Sequence, residues 1–321
     1  MALLLREADV RKVLTMPDTI RTLGLAFRQL AAGEAQNQPR SRIVLPEGRG
    51  VLHMLAAAAP RQGVLGYKAY TTFRQGVRFV VMLYSSEDGR LLAEIEADWL
   101  GQMRTGAATG VATHALARPE ANAIGIIGTG GQARTQLMAV CAVRQIKTIR
   151  AYGRDEERRQ AFCTEMEALL GVEVRPAASA EDVVREAEIV VTATTAREPV
   201  VRGAWLQPGT HVNAIGSNWA NRRELDDEAM TRSAVVAVDS VEQARLEAGD
   251  LVLAAAAGAF DWVRALPLAG IVAGQQPGRT APDQVTLFKS LGLALEDITV
   301  AKHVYELARQ QGLGEELDTL P

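Results

Sequence analysis

The sequence is short of cysteine, of aromatic residues, of net charge and of long apolar runs. Its 321 residues hold two cysteines, Cys141 and Cys163. Both fall in predicted helices without metal-ligand spacing, which excludes a disulfide scaffold and suits a reducing compartment. The four histidines, His53, His114, His211 and His303, lie far apart and show no H-E-x-x-H pattern, so no metal site is expected. Thirty-five Lys and Arg against 38 Asp and Glu leave a formal charge of −3. That lacks the basic excess of a duplex nucleic-acid binder, and no nucleic-acid partner is expected. No stretch approaches the roughly 20 apolar residues of a membrane helix. The run Leu251 to Phe260 is about half that length and mostly alanine. The opening Met1-Ala2-Leu3-Leu4-Leu5-Arg6-Glu7 is too short in apolar residues for a signal-peptide core. A cytoplasmic protein without membrane contact is the expectation. What is there is an ordinary globular balance, 48% hydrophobic with 28 glycines, long enough for about two domains.

Residues 1 to about 118 mix helix and strand signals. Leu23, Ala26, Phe27 and Leu30 recur at helical spacing within Pro17–Ala32. Val77–Tyr84 and Leu91–Ile95 read as strands separated by Ser85-Ser86-Glu87-Asp88-Gly89, with Asp-Gly as a hairpin signal. Trp99–Leu116, rich in Ala, Gly and Thr, predicts a tightly packed helix. The pattern changes at Arg118-Pro119. From there, apolar strands at Ala123–Ile127, Thr148–Tyr152, Ile189–Ala193, His211–Ile215 and Ala234–Val238 are interleaved with helices over 132–143 and 156–170. Another helix opens at the Ser179/Asp182 capping pattern. A last helix, over 292–311, carries Leu295, Ile298 and Leu307 and is expected to pack back on the N-terminal region. The reading is an α/β protein. A Rossmann-type doubly wound parallel sheet spans 119–298, and a mixed α/β domain is built from both chain ends, 1–118 plus 299–321.

Ile124-Gly125-Ile126-Ile127-Gly128-Thr129-Gly130-Gly131-Gln132-Ala133 is the strongest single signal. Gly128, Gly130 and Ala133 match G-x-G-x-x-A between an apolar strand and a helix. Gly128 permits the tight turn, Gly130 lets a pyrophosphate approach the backbone, and Ala133 lets the helix sit close to the sheet. The helix N-terminus then offers N–H groups and a positive dipole end to the phosphates. The second strand ends Ala151-Tyr152-Gly153-Arg154-Asp155. Gly153 stands at the position where an acidic residue favours NAD, and Arg154 suits a 2′-phosphate, which favours NADP. Asp155, one residue further, is the counter-candidate as a ribose ligand.

Three basic positions stand in unusual settings. Lys68 lies in Gly66-Tyr67-Lys68-Ala69-Tyr70, where partial desolvation lowers an amine's pKa and makes it a candidate general acid. Arg104 heads Arg104-Thr105-Gly106-Ala107-Ala108, among small residues. Arg40 and Arg42 flank Ser41 after Pro39. Singly, each reads as a surface charge. Together they describe a carboxylate pocket if the fold brings them together.

The blocks Gly66-Tyr67-Lys68, Arg104-Thr105-Gly106-Ala107-Ala108, Gly128-Thr129-Gly130-Gly131-Gln132-Ala133, Arg223-Glu224-Leu225-Asp226 and Leu287-Phe288-Lys289-Ser290-Leu291-Gly292 follow in that order over nearly the whole chain. In that combination the sequence resembles the ornithine cyclodeaminase/μ-crystallin family. The resemblance implies a substrate and dimerisation domain from the N-terminal region and last helix, a Rossmann domain in the middle, an active site between them, and a homodimer. It implies that Lys68 contacts substrate and takes part in proton transfer, and that Arg104 grips an α-carboxylate. Arg40, directly after Pro39, best matches the second carboxylate-binding arginine, with Arg42 the alternative. Thr129, Gly131 and Gln132 match phosphate-loop contacts. Thr194 and Ala196, then Ile215 and Gly216, match contacts beside the nicotinamide. One departure matters. Cyclodeaminases of the family carry an acidic residue in the loop Gly216-Ser217-Asn218-Trp219-Ala220, and here Asn218 stands in its place. An amide neither accepts a proton in ordinary catalysis nor neutralises an ammonium.

The expected activity is therefore NAD(P)H-dependent reduction of the C=N bond of an α-imino acid, a cyclic ketimine such as Δ1-pyrroline-2-carboxylate, to the amino acid. The alternatives are an ornithine or lysine cyclodeaminase using bound NAD+, an alanine dehydrogenase, or a non-catalytic small-ligand binder of the μ-crystallin kind.

Overall fold

The strands of the first unit owe their faces to simple alternation. Along Gly50–Ala59 (β4) and Val64–Phe73 (β5), every second residue points to one side of the sheet, so Leu55, Ala57 and Ala59 share a buried face with Val64, Gly66 and Lys68. The computed structural model describes residues 2–318. By Cα packing the chain forms two compact units, one from residues up to Arg104 together with those from Gly292, the other from Thr105–Leu291. In the first unit, β1 (Ala2–Leu5), β2 (Gln36–Asn37), β3 (Ser41–Val44), β4, β5, β6 (Gly76–Ser85) and β7 (Leu91–Glu96) join a short strand, Glu315–Leu317, in an eight-stranded sheet. Its order is Glu315–Leu317, β1, β7, β6, β5, β4, β2, with β3 also paired to β4, and only β1 and β7 run parallel. The last helix, Ala294–Gln311, packs on β4, β5 and β6 and against α1 (Met16–Ala31). β4 and β5 were not foreseen as strands; in β5, Gly66 and Lys68 on the buried face break the apolar alternation.

The second unit holds β8 (Ala123–Ile127), β9 (Thr148–Tyr152), β10 (Glu173–Pro176), β11 (Ile189–Thr192), β12 (His211–Ala214), β13 (Ser233–Val238), β14 (Ala265–Pro267) and β15 (Val285–Lys289). All pair in parallel, in the order β10-β9-β8-β11-β12-β15-β13-β14. Central strands of such a sheet are covered on both faces, and β8, β11 and β13 are accordingly apolar almost throughout. Leu137, Val140, Phe162 and Met166, from the helices Gly131–Val143 and Glu156–Leu170, cover one side; Val183, Met230 and Leu251 cover the other. The order reverses between β8 and β11, the switch point at whose carboxyl ends such sheets bind ligands. β15 escaped the sequence reading, since it ends in a lysine that is itself buried. The two ends of α2 (Asp98–Leu116) belong to different units, Arg104 being the last of its residues in the first.

Candidate active site

In the first unit, β5 delivers Lys68 to the face beneath the last helix. A Cβ on Gly66, one inward position earlier, would stand 2.3 Å from the Met82 carbonyl of the neighbouring strand, so the position has no room for a side chain. Lys68 is 2% exposed, and its Nζ donates to Asp297 Oδ1 at 2.9 Å. Arg104 donates from Nε to the same oxygen at 3.0 Å and from Nη1 to Glu296 Oε2 at 2.8 Å. Arg40, also buried, donates from Nη2 to the Gly292 carbonyl at 3.4 Å. Gly292 has φ +81°, and a Cβ there would lie 2.3 Å from Arg104 Nη1. Lys68, Arg104 and Arg40 thus gather around Asp297, Glu296 and the Gly292 carbonyl. Burial lowers the Lys68 pKa to about 8; Asp297 opposes the shift, and Arg104 and Arg40 add to it.

The next rung outward on the same face is Arg42, His53, Tyr70 and Phe79, paired across β3, β4, β5 and β6. His53 stacks on Tyr70 with centroids 4.1 Å apart and planes 4° from parallel, and Phe79 packs at 5.0 Å from Tyr70. Lys68 Nζ lies 4.9 Å from the Phe79 centroid. Arg42 donates from Nε to His53 Nδ1 at 3.3 Å. Burial, then Arg42 and Arg40, lower the His53 pKa to about 4, so the ring is neutral at physiological pH. Of the two arginine candidates, Arg40 reaches toward the Gly292 backbone beside Arg104, and Arg42 engages the aromatic rung.

In the second unit, Gly128 turns off β8 with φ +108°, and a Cβ there would lie 2.3 Å from the Ala193 carbonyl. Gly130, Gly131 and Gln132 are exposed at the rim, while Ala133 is buried beneath its helix. Gly130 is the N-cap without a side-chain cap bond, and nothing lies within 4 Å of its Cβ position. Those features leave backbone donors and open space, so the loop fits a pyrophosphate. Gly153 abuts Thr129, since a Cβ there would meet Thr129 Oγ1 at 2.7 Å. Arg154 is exposed. Asp155 Oδ1 accepts from the Arg158 N–H at 3.0 Å and caps the helix Glu156–Leu170.

Thr194, Ala196, Ile215 and Gly216 follow the carboxyl ends of β11 and β12. Glu224, which the sequence reading noted only within a family block, ties most of them together. It is fully buried; its Oε1 accepts from the Thr194 N–H and hydroxyl at 2.8 and 2.7 Å, and its Oε2 from the Thr192 hydroxyl and Gly216 N–H at 2.7 and 2.8 Å. Asn218 lies half-buried in the same loop after β12. The structure thus brings Arg40, Lys68 and Arg104 together in one unit and gathers the loop residues at the switch point of the other. Sequence reasoning missed Asp297, Glu296 and Glu224. The available signal was Glu296-Asp297 inside the largely apolar Leu293–Ala301, all of it buried in the structure, the two carboxylates included.

The sequence profile of the ornithine cyclodeaminase/mu-crystallin family matches residues 2–312. The chain belongs to this family. Among ornithine cyclodeaminase/mu-crystallin relatives, a Δ1-pyrroline-2-carboxylate reductase of Bacillus cereus is 34% identical, covering 98% of this chain and 99% of its own. The solved Δ1-pyrroline-2-carboxylate reductase of Thermococcus litoralis, in complex with NADH and L-proline, superposes with a TM-score of 0.94 at 37% identity, over 98% of this chain and 100% of that one. An archaeal alanine dehydrogenase dimer with bound NAD gives 0.93 at 31% identity, over 99% of each chain. Among the described residues there is no group of three or more His, Cys, Asp or Glu able to hold a metal, and no helix long and apolar enough to cross a membrane.

Proposed function

We propose that the protein is a nicotinamide-dependent reductase of cyclic α-imino acids, converting Δ1-pyrroline-2-carboxylate to proline. The observation that carries this reading is the convergence of Lys68, Arg104 and Arg40 on one buried site beside Asp297 and Glu296. The guanidinium groups of Arg104 and Arg40 are the donors suited to a substrate carboxylate. Lys68 Nζ then gives its proton to the imine nitrogen, and a protonated imine is the better hydride acceptor. A pKa of about 8 leaves this ammonium charged yet a ready donor at neutral pH. The rung of His53, Tyr70 and Phe79 supplies a flat, uncharged wall for a small ring. Asn218, in place of the acidic residue of cyclodeaminases, agrees with a substrate that has no distal ammonium.

The bound dinucleotide supplies the hydride. Gly128, Thr129, Gly130, Gly131, Gln132 and Ala133 hold its pyrophosphate, and Thr194, Ala196, Ile215 and Gly216 flank its nicotinamide half. With Asp155 engaged as a helix cap and Arg154 exposed beside Gly153, a 2′-phosphate finds a partner here, which supports use of NADPH. The outward face of the first sheet, with Ile43, Met54 and Leu65 exposed and Tyr67 against Tyr84, supports a homodimer through that face.

The test is to follow oxidation of NADH and of NADPH by the purified protein with Δ1-pyrroline-2-carboxylate, running ornithine with ammonia detection and alanine with NAD+ alongside. Turnover of the cyclic imine with proline as product is expected. Ammonia release from ornithine, or no oxidation of either cofactor, overturns the proposal.

A further inference from the structure

Four hydrogen bonds converge on the Glu224 carboxylate, and all four donors sit on β11 or on the loops that follow β11 and β12. The Thr194 hydroxyl that donates to Oε1 in turn accepts from the Ala196 N–H at 3.1 Å. A Cβ on Gly216 would lie 2.4 Å from Glu224 Oε1, so the loop backbone is pressed directly on the carboxylate. Glu224 is itself fixed from behind. Asp250 Oδ1 accepts from the Glu224 and Leu225 N–H groups at 2.7 and 2.9 Å, and Asp250 Oδ2 lies 3.1 Å from Lys289 Nζ, every side chain in the chain of contacts being fully buried. The dinucleotide-binding glycine loop, by contrast, leaves β8 and makes no bond to this carboxylate.

In a doubly wound sheet, the strands beyond the switch point carry the second mononucleotide half, here the nicotinamide. We infer that Glu224 is a positioning residue for the nicotinamide half of the cofactor: its carboxylate sets the spacing and orientation of the Thr194–Ala196 and Ile215–Gly216 segments, and it acts only through them. This deepens the proposed function and rests on it. A carboxylate is suited to the task because its two oxygens accept all four donors at once. A glutamine, whichever way its amide turns, sets an N–H₂ against one of two backbone donors, Thr194 N–H or Gly216 N–H, and that loop loses its acceptor.

The experiment compares wild type, Glu224→Gln and Thr192→Val in binding two ligands by calorimetry: the reduced dinucleotide that wild type prefers, and the matching ADP-ribose (with 2′-phosphate if NADPH is preferred), which lacks the nicotinamide. Expected is a loss of about tenfold or more in dinucleotide affinity for Glu224→Gln, with ADP-ribose affinity held within about twofold. Thr192→Val, which removes one hydroxyl donor from the carboxylate and keeps the side-chain shape, shows a smaller loss of the same pattern, and it carries the test alone if Glu224→Gln fails to fold. Equal losses for both ligands would mean a general structural role and overturn the inference, as would undiminished dinucleotide binding. If wild type binds ADP-ribose but gains nothing from the nicotinamide, the functional reading itself fails, an outcome distinct from the others because it appears before any substitution.

Discussion

Asp297 Oδ1 is the acceptor that Lys68 and Arg104 share, and the consequences of that sharing are specific. Lys68→Ala removes the proposed proton donor. Imine turnover is expected to fall by about 10²- to 10⁴-fold while calorimetric dinucleotide affinity stays near wild type; undiminished turnover removes Lys68 from the chemistry. The pH profile follows from the Lys68 pKa of about 8. The charged amine is the active form, so the rate of imine reduction falls as pH rises through about 8. Asp297→Asn takes away the group that holds the proton on, so the same falling limb is expected at lower pH. The variant also leaves two buried cations short of a partner, a loss on the order of 3–5 kcal/mol that a denaturant titration reads directly. A limb that stays in place in Asp297→Asn assigns the profile to another group. His53, held neutral by burial and the two arginines, is excluded as that group near neutral pH.

At the level of elements, the parallel sheet was the legible part. Ala123–Ile127 and Ile189–Thr192 are almost wholly apolar because both faces are covered, and a short apolar run between turn signals is readable without knowing its neighbours. The first sheet was less so. β5 buries a glycine and a lysine where alternation calls for large apolar residues, and those two residues make sense only once Met82, Ile298 and Asp297 surround them. The same holds for the site. Lys68, Arg40 and Arg104 stood out by their settings, but their counter-charges did not, because Glu296-Asp297 in a first helical turn reads equally well as an acidic N-terminus. The glycine loop yields a prediction of its own. Gly128→Ala places a Cβ against the Ala193 carbonyl at a backbone angle that alanine resists. Dinucleotide affinity is expected to drop by about tenfold or more, a loss of roughly one well-made hydrogen bond or more, measurable by calorimetry; unchanged affinity would mean that the turn tolerates a side chain.

For the whole molecule, the outward apolar face of the first sheet bears on assembly. Paired substitution Met54→Glu and Leu65→Glu puts charge at two of its exposed positions on adjacent strands. Sedimentation of the wild type is expected to show a dimer and that of the double variant a monomer with its dinucleotide affinity kept. A wild-type monomer removes the assembly proposal and leaves the catalytic one standing.

The division of the first unit between early and late sequence has a consequence for synthesis. The nucleotide-binding half is one uninterrupted stretch, whereas the sheet that precedes it waits for Glu315–Leu317 to pair with β1 and for Ala294–Gln311 to cover β4 and β5. Until that stretch leaves the ribosome, Lys68 and Arg104 have neither Asp297 nor Glu296 to neutralise them. The nascent chain therefore keeps these cations wet, and the cluster closes only once Asp297 and Glu296 have emerged.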